Sequence, residues 1–290
     1  MTTAVPTPAA DEGRLLVQGD DHPGIIATVS ELLASAGANI VSMAQHSSEK
    51  GRFYQRSVFH LPDLNIRRDD LSAALDTRLS GQLGLSWRLV EAAKPKRVAI
   101  LISKSDHNVL DLIGRQRRGE INMTIPMVIG NHSDLGDHVR YLGIPFVHTP
   151  ITADTKAQVE RQHLDLLKGN VDLVVLARYM QVLSEDFLTQ IGCPVINIHH
   201  SFLPAFIGAN PYQRAKERGV KLIGATAHYV TTDLDEGPII EQDVARVTHQ
   251  DTALELRLRG AHVERQVLSR AVTWHCEDRV IRDGNATVIF

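Results

Sequence analysis

Five short apolar runs, residues 98–102, 127–129, 146–147, 173–176 and 195–198, punctuate the later part of the chain, with helical periodicity in most of the intervals. A strand that is apolar at nearly every position has no face to turn to water, so it belongs in a sheet covered on both sides. Strands that alternate with helices pair in parallel, because each connection must cross over and return. The spacing predicts a doubly wound, mostly parallel α/β sheet over residues 98–290, with a long amphipathic helix over residues 252–272. In such a sheet, ligands bind in the crevice outside the carboxyl ends of the strands.

The earlier part of the chain has another rhythm. Residues 14–18 read as a strand that ends in the breaker-rich turn Gly19-Asp20-Asp21-His22-Pro23-Gly24. Ile25, Ile26, Val29, Leu32 and Leu33 then recur at helical spacing, and Gly37 stops that helix. Strands over 40–45 and 53–61, a helix around 71–79 and a strand near 87–90 complete a βαββαβ, ferredoxin-like order. Residues 1–12 are expected to be a disordered lead-in, residues 13–92 the first domain, and residues 93–97, around Lys94-Pro95-Lys96-Arg97, the linker.

Charge narrows the partners. With 31 Lys and Arg against 34 Asp and Glu, the net charge of -3 leaves no clustered positive excess for a nucleic acid or an anionic membrane. Cys193 and Cys276 suit neither a disulfide framework nor a C-x-x-C metal site. Residues 1–14 have no basic-then-apolar leader, and the longest apolar runs fall far short of a membrane span, so a cytoplasmic protein is expected.

The chemistry concentrates after the last apolar run, in Asn197-Ile198-His199-His200-Ser201-Phe202-Leu203-Pro204. Strand alternation puts Asn197 and His199 on one face and His200 on the other, so the adjacent histidines are not expected to share a metal. No third ligand lies at a convincing spacing, and no metal is expected. Thirty-six residues after His199 comes Asp235, in Asp233-Leu234-Asp235-Glu236-Gly237-Pro238. A carboxylate beside an imidazole raises its basicity and steadies the imidazolium. Either segment alone reads equally as a strand-end histidine or a solvated acidic turn.

Together the segments resemble the active-site signature of the formyltransferase family that uses formyltetrahydrofolate. The turn Gly19-Asp20-Asp21-His22-Pro23-Gly24-Ile25 and the later Gly37-Ala38-Asn39-Ile40 resemble an ACT regulatory domain. An ACT domain fused to a formyltransferase-like domain is the layout of the formyltetrahydrofolate deformylase family, and residues 197–211 and 219–243 look very similar to it. The resemblance implies Asn197 as the oxyanion donor, His199 and Asp235 as the catalytic pair, and His228 as a supporting histidine. It implies that Arg178, Tyr179, Met180, Gln181, Val182 and Leu183 form the loop that receives the pterin, with the backbone around Leu234. Met180 and Leu183 fit ordinary core packing as well.

One transferase of that family carries a Gly-rich phosphate loop where this chain has Ser103-Lys104-Ser105-Asp106-His107-Asn108. Without the glycines the backbone cannot approach a phosphate closely, and Asp106 repels it. This loop either lines the solvent side of the site or closes it. Water is then the expected nucleophile. The implied reaction is hydrolysis of 10-formyltetrahydrofolate to formate and tetrahydrofolate, supplying formate for purine synthesis and balancing the one-carbon folate pool. The folate is a substrate, and no cofactor is expected. Transfer of the formyl group to a small amine, or a non-catalytic folate or amino-acid sensor, are the alternatives. The ACT resemblance implies a homo-oligomer with glycine or methionine as effector, held by Asp21, Gly24, Ile25 and Asn39; a domain serving assembly alone is the other reading.

Overall fold

A computed structural model describes residues 11–203 and 211–290. Two compact units divide the chain, one of Met1–Pro95 with Glu277–Asp283 and Val288–Phe290, the other of Lys96–Cys276 with Gly284–Thr287.

The first unit is built from β1 (Glu12–Asp20), α1 (Ile25–Ser35), β2 (Asn39–Ser47), β3 (Arg52–His60), α2 (Arg68–Leu75) and β4 (Ser86–Glu91). The helical path of α2 widens into a π-helical stretch over Asp76–Gln82. The strands form an antiparallel sheet in the order β2-β3-β1-β4, the ferredoxin-like arrangement that the sequence order implies. Leu15, Val17, Phe53 and Phe59 from the strands bury against Val29 and Leu33 of α1 and Leu71 and Leu75 of α2. Strand β1 starts at Glu12, inside the expected lead-in; residues 1–10 lie outside the described residues.

The opposite face of this sheet carries Leu16 and Tyr54, and Ile281 from the end of the chain covers them. Asp278 anchors that return: its carboxylate takes Arg14 at 3.2 Å and Arg88 at 3.0 Å, while its carbonyl accepts from Arg56. The expectation that residues 98–290 form one domain is corrected here, because Glu277–Asp283 and Val288–Phe290 belong with the first unit. Three arginines and one buried carboxylate hold the segment, and such long-range pairing leaves no periodic trace in sequence.

The second unit contains β5 (Lys96–Ile102), α3 (His107–Arg117), β6 (Met123–Thr124), β7 (Val128–Gly130), α4 (Gly136–Tyr141), β8 (Phe146–His148), α5 (Lys156–Leu167), β9 (Leu173–Ala177), α6 (Glu185–Gln190), β10 (Val195–His199), α7 (Pro211–Arg218), β11 (Leu222–Tyr229), β12 (Ile239–Arg246) and α8 (Ala253–Cys276). β13 (Val280–Asp283) and β14 (Ala286–Ile289) form a terminal hairpin. Lys96 and Arg97, expected in the linker, are the first residues of β5, where Arg97 grips Asp172 at 2.8 Å.

The main sheet runs β12-β11-β10-β9-β5-β7-β8, with β6 beside β5. The chain leaves β5 toward β8, then returns to β9 on the other side, so the topological switch point lies between β5 and β9. Beyond β10 the sheet turns antiparallel through β11 and β12. The sequence pattern did not resolve these two strands, because the exposure of β12 alternates irregularly and follows no single period.

Two anchors fix the loop that leaves β9. Ser103, at the end of β5, accepts the Met180 amide on its hydroxyl at 3.0 Å, joining the loops on either side of the switch point. Ser184 caps α6 by accepting from the Phe187 amide, and its own hydroxyl and amide donate to the buried carboxylate of Glu160. Ser184→Ala removes both the cap and a partner of Glu160. It should lower stability by about 1–3 kcal/mol, read as a reduced urea midpoint at unchanged slope.

Candidate active site

Asn197 and His199 leave β10 on one face, and β11 sets their partners. Asn197 lies directly opposite His228 in the antiparallel register, and His199 opposite Thr226. His228 Nδ1 donates to the carbonyl of Tyr229 at 2.9 Å, so in the neutral ring Nε2 keeps its lone pair and accepts from Asn197 Nδ2 at 3.2 Å. That bond orients the Asn197 amide and leaves its second N–H hydrogen to donate elsewhere.

Asp235 reaches the pair from the loop between β11 and β12. Its Oδ2 lies 3.2 Å from His199 Nδ1, and its Oδ1 lies 3.6 Å from His228 Nε2, an electrostatic rather than a hydrogen-bond distance. Two backbone features hold it there. Asp235 itself adopts φ of 57°, a left-handed conformation that costs a non-glycine residue on the order of 1–2 kcal/mol. Two residues on, a Cβ at Gly237 would fall 1.8 Å from the Tyr229 carbonyl oxygen, so only glycine allows the loop to lie this close to β11. The hydrogen bond from His199, and secondarily the side-chain interaction with His228, hold the Asp235 carboxyl well below the usual carboxylate range despite its burial. The aspartate is therefore ionised and accepts from His199 Nδ1, which leaves Nε2 as the ring nitrogen able to exchange a proton.

These groups line a cavity of about 280 Å³ at the carboxyl edge of the sheet. Met180, Val182 and Leu234, at 60%, 55% and 61% exposure, form its open apolar wall. Gln181 is half-buried beside them, whereas Tyr179 and Leu183 turn inward to pack with Phe187 and Val195. Ordinary packing thus accounts for Leu183, although it also lines the cavity, and does not account for Met180. The structure gathers Asn197, His199, His228, Asp235, Leu234 and residues 178–183 around one space.

His200 corrects an expectation. The strand ends at His199, so alternation stops, and the His200 ring stacks on that of His199 at 5.3 Å rather than pointing away. Burial, and after it the Arg178 guanidinium, push His200 down to about 4. The turn beyond it is clamped, since Thr226 Oγ1 donates to the Ser201 carbonyl and accepts from the Leu203 amide. Pro204 of the motif lies outside the described residues.

Sequence reasoning missed a buried cluster behind this site. Glu264, on α8, accepts from His107 Nε2 at 2.9 Å, Asn108 Nδ2 at 3.2 Å and the Tyr212 hydroxyl at 2.9 Å. The loop over residues 103–108 thus braces this buried cluster through His107 and Asn108, and none of its residues lines the cavity. The separation of 156 residues between Asn108 and Glu264 explains why no local pattern announced it.

The four candidate effector residues do not converge within one chain. Asp21 and Gly24 precede α1 and Asn39 follows it, a separation of about 16 Å by helical rise, while Ile25 is buried in the unit's core. Among the described residues no group of three or more His, Cys, Asp or Glu could hold a metal ion, and no helix is long and apolar enough to cross a membrane.

A doubly wound sheet with an Asp-paired histidine and an asparagine at its carboxyl edge defines the class. The formyl transferase family model matches residues 96–272, and the ACT domain model matches residues 13–74. The formyltetrahydrofolate deformylase of Mycobacterium tuberculosis is 62% identical over 283 residues, covering 97% of this chain and 91% of its own. That of Bacillus subtilis is 49% identical over 283 residues, covering 97% and 94%. The crystal structure of a formyltetrahydrofolate deformylase from Pseudomonas syringae pv. tomato superposes with a TM-score of 0.93 at 40% identity, covering 98% of this chain and 95% of that one. The chain belongs to the formyltetrahydrofolate deformylase family.

A histidine that stays neutral in the fold but takes a proton when unfolded costs stability on acidification. The unfolded ring binds its proton near pH 6.5 and the folded His200 only near 4, so this loss develops as pH falls through that window. His200→Gln should make the decline in urea midpoint between pH 7 and pH 5 shallower than in the wild type, and an equal slope would place the ring's proton elsewhere.

Proposed function

We propose that the chain hydrolyses 10-formyltetrahydrofolate to formate and tetrahydrofolate. The observation that carries this is the contact of 3.2 Å between His199 Nδ1 and Asp235, with Asn197 on the same strand, in a cavity whose open wall is apolar. The flat folate ring suits Met180, Val182 and Leu234, and the backbone of residues 178–183 supplies donors and acceptors for its polar edge.

In the mechanism, His199 Nε2 takes a proton from water as its oxygen bonds to the formyl carbon. Asp235, ionised across the physiological range, steadies the imidazolium that forms. Asn197 gives its second N–H hydrogen to the developing oxyanion, and His228 acts through Asn197 by fixing its amide. The imidazolium then returns the proton to N10 as the carbon–nitrogen bond breaks. The folate is consumed as substrate, so the reaction takes no cofactor. A cytoplasmic setting agrees with two cysteines that make no disulfide, and formate released there supplies purine synthesis.

The first unit serves regulation and assembly. Strand β2 is an edge strand with exposed residues along most of its length, including Val41, and exposed Ile26 lies on the neighbouring helix. An open edge of this kind pairs with a second chain. A homo-oligomer would bring Asp21 and Gly24 of one copy toward Asn39 of another, and glycine or methionine is the proposed ligand.

Incubation with 10-formyltetrahydrofolate alone should release formate and tetrahydrofolate in equal amounts; release only after an amine is added would make the protein a transferase, and silence under both conditions a sensor. His199→Ala and Asp235→Asn should each lower kcat on the order of 10²–10⁴-fold, and Asn197→Ala on the order of 10²–10³-fold. Near-normal turnover in any folded variant removes that residue from the mechanism.

Glycine or methionine should change both the hydrolysis rate and the thermal midpoint in a saturable way, and a flat response in both would leave the first unit with assembly alone.

A further inference from the structure

We propose that Arg178, backed by Glu264, selects the nucleophile, keeping acceptor amines away from the formyl carbon and leaving water to attack it; this rests on the hydrolytic reading above. The cavity is open to solvent at Met180, Val182 and Leu234, while Arg178 and His200 on its lining are half-buried. Beside Asn197, His199, His228 and Asp235, its lining includes Arg178 and His200, with His200 stacked on His199 and the Tyr212 ring centroid 6.2 Å beyond. Arg178 Nε stands 3.8 Å from Glu264 Oε2, with side-chain exposures of 18% and 2%.

Glu264 is buried behind Arg178 and does not itself line the cavity. Here its capacity is taken: Tyr212 occupies Oε1, His107 and Asn108 occupy Oε2, and Arg178 supplies the counter-charge. Primary amines are largely ammonium ions near neutral pH, which only donate hydrogen bonds, and the Arg178 guanidinium, a donor without acceptors, offers them no partner. Water also accepts hydrogen bonds and meets no such barrier.

Two departures from the most stable local choice converge on this pair. Arg178 adopts φ of 62°, where glycine would be free of strain, yet a long cation stands there. On α8, Gly260 lies one turn before Glu264, and a Cβ on it would come within 2.0 Å of the Tyr212 hydroxyl. The helix forgoes about 1 kcal/mol relative to alanine at that position, and Tyr212 is seated against Glu264.

In the excluded transfer, the amine nitrogen would bond to the formyl carbon, the bond from that carbon to N10 would break, and a proton would pass from the amine to N10. In hydrolysis the water oxygen replaces the amine nitrogen, and one proton of water reaches N10. Both reactions start from the same complex, so their ratio reports access of the nucleophile rather than folate binding.

The test uses the full chain with 10-formyltetrahydrofolate and glycinamide as the amine, measuring formate and N-formylglycinamide together. Arg178→Gly removes bulk, charge and backbone strain, and Arg178→Gln removes the charge but keeps most of the bulk. The ratio of formylglycinamide to formate should rise about 10-fold or more in Arg178→Gly and by less in Arg178→Gln. An unchanged ratio in both variants overturns the proposal, as does loss of formate release with no formylglycinamide in its place. Failure of the wild type to release formate from the folate alone would instead overturn the hydrolytic reading itself, and is seen without any variant.

Discussion

The antiparallel register between β10 and β11 places the groups on which the proposed chemistry depends. Residues directly opposite in such a pair hold their side chains about 5 Å apart, which puts the Asn197 amide on His228 without help from any loop. Because side chains alternate, a slip by one residue would turn Asn197 and His199 to the other face together. Thr226, opposite His199, prevents the chain beyond the strand from wandering by tying both Ser201 and Leu203. Tyr229, at the end of the same strand, receives the His228 ring on its carbonyl and offers the surface on which Gly237 lies. One strand therefore positions the amide, the supporting histidine and the loop that delivers Asp235.

The fold was legible where burial imposes a simple period. The apolar runs behind β5, β9 and β10 are hidden on both faces, and their residues had no other place to go. The short, mostly buried run of β1 and the helical spacing of α1 made the first unit readable in the same way. What escaped was held by sparse, distant polar contacts. Asp278 returns the chain end to the first sheet through Arg14, 264 residues away, and a single ion pair leaves no periodic signature. His200 was misplaced for a local reason: strand alternation was extended one residue past the strand's end. The core of the site was readable because Asn197 and His199 sit on a regular strand, whereas Glu264 projects from a helix whose polar positions look like any solvated face.

Electrostatics divide the site into groups with fixed charge. Asp235 is kept ionised by the histidines beside it, and His200 is kept neutral by burial and by Arg178. Glu264 also remains ionised, since its hydrogen bond from His107 and the charge of Arg178 outweigh a burial that would otherwise protonate it. Each state is enforced by a neighbour on a different element, so the arrangement exists only in the folded unit. The left-handed backbones of Arg178 and Asp235 are further costs that the surrounding packing must carry.

The loop after β5 shows how one position in a doubly wound sheet can serve opposite ends. A glycine-rich turn there would present backbone amides to a ligand's phosphate. In this chain the turn carries side chains instead, and His107 and Asn108, at the start of α3, spend their donors on the carboxylate of Glu264. Donors committed to a buried protein anion cannot also bind an anion brought by an acceptor. Ser103 in the same turn holds the Met180 amide, so this segment also braces the cavity's apolar wall. With those donors spent inside the protein, this turn offers no anchor for the phosphate of a second substrate, an arrangement sufficient for a reaction whose other reactant is the solvent.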